Sequence, residues 1–115
     1  MKLLTKEIEE ELLKYGIDGQ RELVFHSKVI ARYFNPYGVG TWLITGGKRL
    51  VDGDWLLFGY VNLIYNEWGY ILLSELESLK LGNEIPIIER DRYLRENTTV
   101  HDECVRLGIR EFEYE

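Results

Sequence analysis

Residues 55–73 read WLLFGYVNLIYNEWGYILL, two apolar runs joined by a short segment that contains Asn and Glu. Residues 55–61 are almost continuously apolar, a pattern typical of a central strand that is covered on both faces. Residues 69–73 predict the following strand, and residues 66–69 are interpreted as the turn between the two. Because parallel neighbours need a long crossover, so short a connection predicts an antiparallel pair.

Two more strands are predicted on the N-terminal side of this pair. Residues 29–34 form a strand-like run that ends at a turn over residues 35–38, Asn-Pro-Tyr-Gly. Residues 40–45 predict the next strand, and residues 46–47, Gly-Gly, are interpreted as the hairpin turn that closes it. Residues 23–25, Leu-Val-Phe, either start the first strand early or form a short strand of their own.

A helix is predicted over residues 5–15, because apolar side chains recur there at helical spacing. Thr5 is the expected N-cap, and Gly16 is the expected C-terminal stop. The acidic residues of this segment fall mostly on the opposite side of the helical wheel. We interpret them as the solvent face of the helix rather than as an acidic recognition surface.

A short second helix is predicted after the last strand. Residues 74–77, Ser-Glu-Leu-Glu, match a capping box in which Ser74 is the N-cap of a helix over residues 75–81. Gly82 is expected to end this helix. Pro86 then favours an extended segment.

Residues 100–107 predict a last helix, capped by Thr99 and stopped by Gly108. Residues 110–115 alternate like an edge strand at a chain end, where fraying is common. Together these elements predict an α+β fold: an antiparallel meander of about four strands with N-terminal and C-terminal helices packed against it. A chain of 115 residues fits one core, so residues 1–115 are expected to form a single domain.

Charge and cysteine content narrow the functional classes. The net charge is −6 and no basic run is present, so we expect no binding to duplex nucleic acid, which requires a basic face. The single cysteine, Cys104, cannot form an internal disulfide. The N-terminal segment lacks the apolar run of a signal peptide or a membrane span. We therefore expect a cytoplasmic protein that does not act at a membrane.

Motifs for cofactor, metal or nucleophile chemistry are sparse. Residues 46–48, Gly-Gly-Lys, lack the spacing of a phosphate-binding loop, and no Cys or His pair has metal-finger spacing, so no cofactor or metal is expected. His26 and Ser27 are neighbours on a predicted strand and would point to opposite faces. His101 and Cys104 would share one face of a helix, which allows a reactive thiol, but a small core residue is the usual role of a free cysteine.

The densest charge cluster is Glu89-Arg90-Asp91-Arg92. In an extended segment Glu89 and Asp91 would point to the same side, a geometry suited to acid–base chemistry or, with Glu67, to a divalent cation. The alternative is structural: Arg90 or a neighbouring arginine binds these carboxylates and fastens the segment to the sheet. We favour the structural role and take Glu67, Glu89, Arg90 and Asp91 as the candidate functional cluster.

Aromatic residues are concentrated in the predicted sheet: Tyr33, Trp42, Trp55, Phe58, Tyr60, Trp68 and Tyr70. A set of exposed rings on a sheet could stack nucleobases, but few lysines or arginines are interleaved with these positions. Core packing is therefore the expected role of most of them. One or two exposed members would indicate a protein interface.

Several short motifs, taken in order, resemble a bacterial family. They are Lys2-Leu3-Leu4-Thr5, Phe34-Asn35-Pro36, Thr41-Trp42, Leu57-Phe58-Gly59-Tyr60-Val61, EWGYILLSEL over residues 67–76, and Ile88-Glu89-Arg90-Asp91. Over residues 2–92 they are similar to the domain-of-unknown-function 2958 family. The resemblance implies little chemistry, because the family is uncharacterised. It implies a small protein or accessory module of bacteria, plasmids, phages or other mobile elements.

The residues and the resemblance together favour a non-enzymatic interaction module, a small acidic accessory domain that binds another macromolecule, with a protein as the expected partner. The first alternative is a metal-dependent hydrolase that uses Glu67, Glu89 and Asp91. The second is an acidic DNA mimic that acts against restriction enzymes or other nucleases, although acidic and basic side chains are interspersed here. The sequence leaves the oligomeric state open.

Overall fold

The computed structural model describes residues 1–82 and 84–111. Its strands are β1 Ala31–Phe34, β2 Thr41–Arg49, β3 Trp55–Asn62, β4 Asn66–Leu72, β5 Lys80–Leu81, β6 Ile85–Pro86 and β7 Glu89–Arg90. Five of them form one antiparallel sheet in the order β4-β3-β2-β1-β7, and β5 pairs with β6 separately. The predicted α+β fold and its meander are confirmed, with β4 and β7 at the two edges of the main sheet.

Three α-helices accompany the sheet: α1 Lys6–Tyr15, α2 Leu73–Ser78 and α3 Val100–Leu107. Helices α1 and α3 form where predicted because Thr5 and Thr99 each accept a hydrogen bond from a backbone N–H three residues on, at 3.2 and 3.1 Å. Within the described part of the chain, no helix is long and apolar enough to cross a membrane. Of the predicted C-terminal tail, residues 112–115 lie outside the described residues.

The hairpin turn predicted at Gly46-Gly47 is wrong, because β2 continues through both glycines and the chain turns over residues 50–54. Gly46 and Gly47 allow residues 16–20, the connector that follows α1, to approach β2 closely. A Cβ atom on Gly46 would lie 2.7 Å from the Ile17 carbonyl oxygen, and the Gly47 N–H donates to the Gly16 carbonyl at 3.1 Å. The connector thus covers the part of β2 that the shorter β1 does not reach.

Residues 66–69 belong to β4 and do not form the predicted turn. The strand begins at Asn66, and the chain reverses over residues 63–65, Leu-Ile-Tyr. Trp68 lies directly opposite Tyr60 on β3, with ring centroids 5.1 Å apart. Packing of these two rings across the strands outweighs the local turn preference of the Asn-Glu pair.

Residues 23–25 do not form a strand, since they lie in a 3₁₀-helix, Arg21–His26. Gln20, buried just before this helix, fixes its start. The Gln20 amide donates to the carbonyls of Lys28 and Thr45, both at 2.9 Å, and accepts from the Lys28 N–H at 2.7 Å. The bond to Thr45 joins residues 25 positions apart, and the local strand-like composition cannot compete with this network.

Helix α2 begins two residues and ends three residues before its predicted bounds, so it does not reach Gly82. The N-cap is Leu72, whose N–H donates to the Glu75 carboxylate at 3.0 Å. The predicted cap, Ser74, lies in the first turn, where its N–H donates to Asp54 at 3.1 Å and its hydroxyl donates to the same carboxylate. The prediction of Ser74 as the N-cap was wrong because Asp54, in the turn between β2 and β3, binds Ser74.

Two apolar cores lie on opposite faces of the sheet. The core on the α1 side includes Leu4, Leu12, Tyr33, Trp42, Ile44, Trp55, Leu57, Leu76 and Ile88. The core under α3 and the 3₁₀-helix includes Phe25, Val29, Leu43, Tyr60, Val100 and Cys104. Strand β3 contributes to both cores, as predicted for a strand covered on both faces. Among the described residues the second core does not cover the whole face, and at its β4 end Trp68 is partly exposed and Tyr70 is exposed.

Candidate functional site

The candidate cluster from the sequence is divided between the two edges of the sheet. Glu67 lies in β4, whereas Glu89 and Arg90 form β7 and Asp91 follows them. Three strands separate β4 from β7. Since neighbouring strands are about 4.8 Å apart, the two edges are on the order of 19 Å from each other. The structure therefore keeps Glu67 apart from the other three residues.

Asp91 is bound by an arginine of the sheet. One carboxylate oxygen accepts from Arg32 Nε at 3.1 Å and lies 3.9 Å from Arg106 Nη2, and the other accepts from a backbone N–H two residues on at 2.8 Å. Arg90 Nε donates to the Lys2 carbonyl at 3.0 Å. These contacts fasten the segment after β7 to β1, to α3 and to the N-terminal residues.

Glu103 extends this arrangement into the protein interior. Its carboxylate, only 1% exposed, accepts from the Thr98 hydroxyl at 2.8 Å and from Arg106 Nη2 at 2.6 Å. Burial alone raises the pKa of Glu103, but the hydrogen bonds from Arg106 and Thr98, with the charges of Arg106 and Arg32, outweigh burial and hold it below its ordinary value. An ionised, arginine-bound carboxylate is suited to a structural role and not to accepting a proton.

A groove of about 370 Å³ runs beside Asp91, between α1 and the segment that follows β7. Carboxylates and cations both line it: Glu7, Glu11, Asp91 and Glu96 with Lys28, Arg90, Arg92 and Arg95. Among residues 1–82 and 84–111, no group of three or more His, Cys, Asp or Glu side chains is placed to hold a metal ion. Two of the carboxylates of the groove are bound by basic side chains, Asp91 by Arg32 and Glu11 by Lys28, which does not favour a metal-dependent hydrolase site there.

The histidines and the cysteine do not form a reactive pair. His26 is exposed, whereas Ser27 is buried and donates to the Gln20 carbonyl at 3.0 Å. His101 is exposed with Nδ1 2.7 Å from the Glu111 carboxylate, while Cys104 is 2% exposed. Burial raises the pKa of the Cys104 thiol to about 12. The thiol is therefore protonated near neutral pH and packs as a small core residue.

A cleft of about 390 Å³ opens at the β4 edge of the sheet. Six residues line it: Arg21, Val24, Phe58, Trp68, Gly69 and Tyr70. The strands β3 and β4 form its floor, and the 3₁₀-helix forms its rim. Its volume is in the range of sites that bind small molecules or single side chains. We refer to it as the aromatic cleft.

Cross-strand pairing of aromatic rings builds the floor of the aromatic cleft. Phe58 lies opposite Tyr70 with ring centroids 4.9 Å apart, and Phe58 stacks on Trp68 at 5.7 Å with an interplanar angle of 16°. Phe58 is buried, whereas Tyr70 is 53% exposed. An exposed tyrosine beside two packed rings presents an apolar surface with a polar tip, a composition typical of protein interfaces.

Arg21 covers one side of the cleft. Its guanidinium carbon lies 4.5 Å from the Phe58 ring centroid and 5.4 Å from that of Tyr70, and Nη2 donates to the Tyr70 hydroxyl. Nε also pairs with Asp18 at 3.3 Å. The residues that line the cleft include this cation and no carboxylate. The site can therefore accept an apolar group, and its polar side-chain groups include the Arg21 guanidinium and the Tyr70 hydroxyl.

Two local irregularities occur at the cleft. Val24 has φ 49° and ψ −119°, a backbone conformation that β-branched residues rarely adopt and that costs of the order of 1–3 kcal/mol. The indole N–H of Trp68 is buried and meets no acceptor in the described part of the chain. Strained backbone and unpaired polar groups are concentrated at binding sites, so both features support a functional role for this cleft.

The family comparison adds an identification to this geometry. The model of the family described as protein of unknown function DUF2958 matches residues 3–103. The chain belongs to the DUF2958 family. The DUF2958 match includes every residue that lines the aromatic cleft, as well as Asp91 and Glu103. No curated protein and no solved structure matches the chain.

Sequence reasoning did not find the cleft of this DUF2958 domain as a unit. Phe58, Trp68 and Tyr70 were among the predicted sheet aromatics, but Val24 was predicted to lie in a strand and Arg21 was assigned to no element. One signal was available: Trp68 and Tyr70 are two residues apart, as are Phe58 and Tyr60, so that each pair shares a face of its strand. The strand register that unites the pairs was hidden by the misplaced turn.

Proposed function

We propose that this DUF2958 domain is a non-enzymatic interaction module of bacteria or their mobile elements, and that it binds a partner protein through the aromatic cleft. The observation that carries the proposal is the set of packed rings at the β4 edge, in which Tyr70 is half exposed, Trp68 is partly exposed and Phe58 is buried. A ring held in this way gives contact area with little further loss of side-chain entropy when a partner binds.

The composition of the cleft supports a protein partner. Residues that dominate protein–protein binding energies are most often Trp, Tyr and Arg, and all three types occur here as Trp68, Tyr70 and Arg21. The net charge of −6 disfavours a nucleic acid, whose phosphates would be repelled. The wide separation of Glu67 from Asp91 counts against the hydrolase alternative.

The experiment is a capture assay with matched tyrosine variants. Tyr70→Ser removes the exposed ring of the cleft, and Tyr93→Ser removes a ring that is 90% exposed near the opposite edge of the sheet. Wild-type and variant proteins are immobilised, incubated with lysate of cells that naturally produce the protein, and compared by quantitative mass spectrometry. We expect Tyr70→Ser to capture about tenfold less of the partner protein than the wild type, or still less. Tyr93→Ser should capture the same amount as the wild type.

Thermal unfolding of both variants is the accompanying control, because a loss of binding is informative only if Tyr70→Ser remains folded. Equal capture by the wild type and by folded Tyr70→Ser would refute the proposed site. A second cleft variant, Arg21→Ala, is expected to weaken capture as well, since Arg21 orients the Tyr70 hydroxyl.

A further inference from the structure

We propose that the partner binds as an extended segment that adds a strand to the outer edge of β4. Apolar side chains of this segment would occupy the aromatic cleft, and a basic side chain would lie opposite Glu67. The inference rests on the proposed function, because it names the form and the chemistry of the partner that the cleft would bind. It goes further by assigning a role to the backbone of β4.

In the part of the chain that the structure describes, the outer edge of the β4 backbone is unpaired. The strand is seven residues long and is the last one of the sheet, and no other strand in residues 1–82 and 84–111 pairs with its outer side. Its Leu72 N–H is bound by the Glu75 carboxylate rather than by β3. Because N–H groups alternate in direction along a strand, the N–H groups of Trp68 and Tyr70 also point away from β3. They are donors available to an added strand.

Side-chain alternation places the aromatic cleft beside that edge. Trp68 and Tyr70 lie on the cleft face of β4, whereas Glu67 and Gly69 alternate onto the other face. A strand paired with β4 would place every second side chain next to Trp68 and Tyr70. On the other face, nothing lies within 4 Å of the Cβ position of Gly69, so side chains of an added strand have space there. The geometry fits a segment with apolar residues at alternate positions.

The charge of Glu67 indicates which residues lie between the apolar positions of the bound segment. Glu67 is exposed, and it forms no hydrogen bond or ion pair with the described residues. Opposite charges on neighbouring strands stabilise their pairing, so a Lys or Arg is the complementary partner of Glu67. A second copy of this chain is disfavoured at the same edge, because it would offer no basic side chain opposite Glu67 in a full-length antiparallel pairing of two β4 strands and would bring two net charges of −6 together.

The test uses synthetic peptides as probes. The parent peptide is acetyl-Thr-Val-Lys-Val-Lys-Val-Thr-amide, which alternates apolar and basic residues. In one analogue the valine nitrogens are methylated, and in the other the lysine nitrogens are methylated. In any strand pairing, only one of these two sets of N–H groups faces β4. Binding to the intact protein is measured by titration calorimetry, and protection of the Trp68 and Tyr70 amides is measured by hydrogen exchange.

We expect the parent peptide to bind, to protect both amides, and to lose about tenfold or more in affinity in one methylated analogue but not in the other. Glu67→Lys should weaken the parent peptide and strengthen a peptide with Glu in place of both lysines. Glu96→Lys makes the same charge change at an exposed position near the opposite edge, and it should leave the binding of both peptides unchanged.

Three results would overturn the inference: no binding of the parent peptide, equal affinities for the two methylated analogues, or a concentration-dependent dimer in light scattering whose formation alone protects the Trp68 and Tyr70 amides from hydrogen exchange. These failures are distinguishable from failure of the proposed function. If Tyr70→Ser still abolishes capture of the natural partner, the cleft remains the binding site, and only the strand-addition geometry is wrong.

Discussion

Glu103 shows, at the scale of one residue, how a buried charge holds this chain together. Its carboxylate is almost fully buried and is bound by Thr98 and Arg106. Replacing it by alanine removes these acceptors and leaves Arg106 without its main partner. We expect Glu103→Ala to lower the free energy of unfolding by roughly 2–3 kcal/mol, measured by urea denaturation. An unchanged urea midpoint would contradict this account of Glu103.

The lowered pKa of Glu103 also predicts a pH dependence. The folded-state pKa lies below the ordinary value of 4.5, so the unfolded chain binds more protons at this site as the medium becomes acidic. The contribution of Glu103 to stability is therefore complete above about pH 4.5 and is lost as the pH falls through the folded-state pKa. The stability difference between the wild type and Glu103→Gln should shrink over that acid range. If the difference in the free energy of unfolding between the two proteins is constant with pH, ionisation of Glu103 does not contribute to the pH dependence of stability.

At the scale of an element, β2 depends on Gly46 and Gly47, which allow the connector after α1 to pack closely against the strand. A Cβ atom on Gly46 would meet the Ile17 carbonyl at 2.7 Å, whereas one on Gly69 in β4 would meet nothing within 4 Å. We expect Gly46→Ala to destabilise the protein by about 1–3 kcal/mol through overpacking. Gly69→Ala is the matched control, and it should change the stability by less than about 1 kcal/mol. Similar urea midpoints for the two variants would contradict the assigned close approach.

The elements also show which parts of the structure the sequence could predict. Helices α1 and α3 were predicted correctly because their caps, Thr5 and Thr99, are local signals. The predictions of a turn at Gly46-Gly47 and of an N-cap at Ser74 were wrong. In the structure the Gly47 N–H binds the Gly16 carbonyl, and Ser74 binds Asp54 in the turn between β2 and β3. The partner of Asp91 was equally hidden, since Arg32 is 59 positions away in the sequence. The structural alternative named Arg90 or a neighbouring arginine as the partner, whereas Arg90 binds the Lys2 carbonyl and Arg32 of β1 binds Asp91.

At the scale of the whole molecule, the aromatic cleft exists only because distant segments meet. Arg21 and Tyr70, which are hydrogen-bonded across it, are 49 positions apart. The fold places the ion-pair network of Asp91 and Glu103 at one edge of the sheet and the cleft at the other. One edge is closed by buried charges, and the other presents an aromatic surface. This asymmetry is the basis for assigning binding to β4 and a structural role to the segment that follows β7.

The central claim is that the aromatic cleft binds side chains of a partner protein. The most direct measurement is a titration of the ¹⁵N-labelled protein with N-acetyltryptophanamide, followed by two-dimensional NMR. We predict saturable shifts of the Trp68 indole N–H and of the Gly69 and Tyr70 backbone amides, because these three residues line the cleft, while the His101 amide on α3 remains unchanged. Shifts centred on α3, or no saturable shift up to the solubility limit of the probe, would contradict the claim.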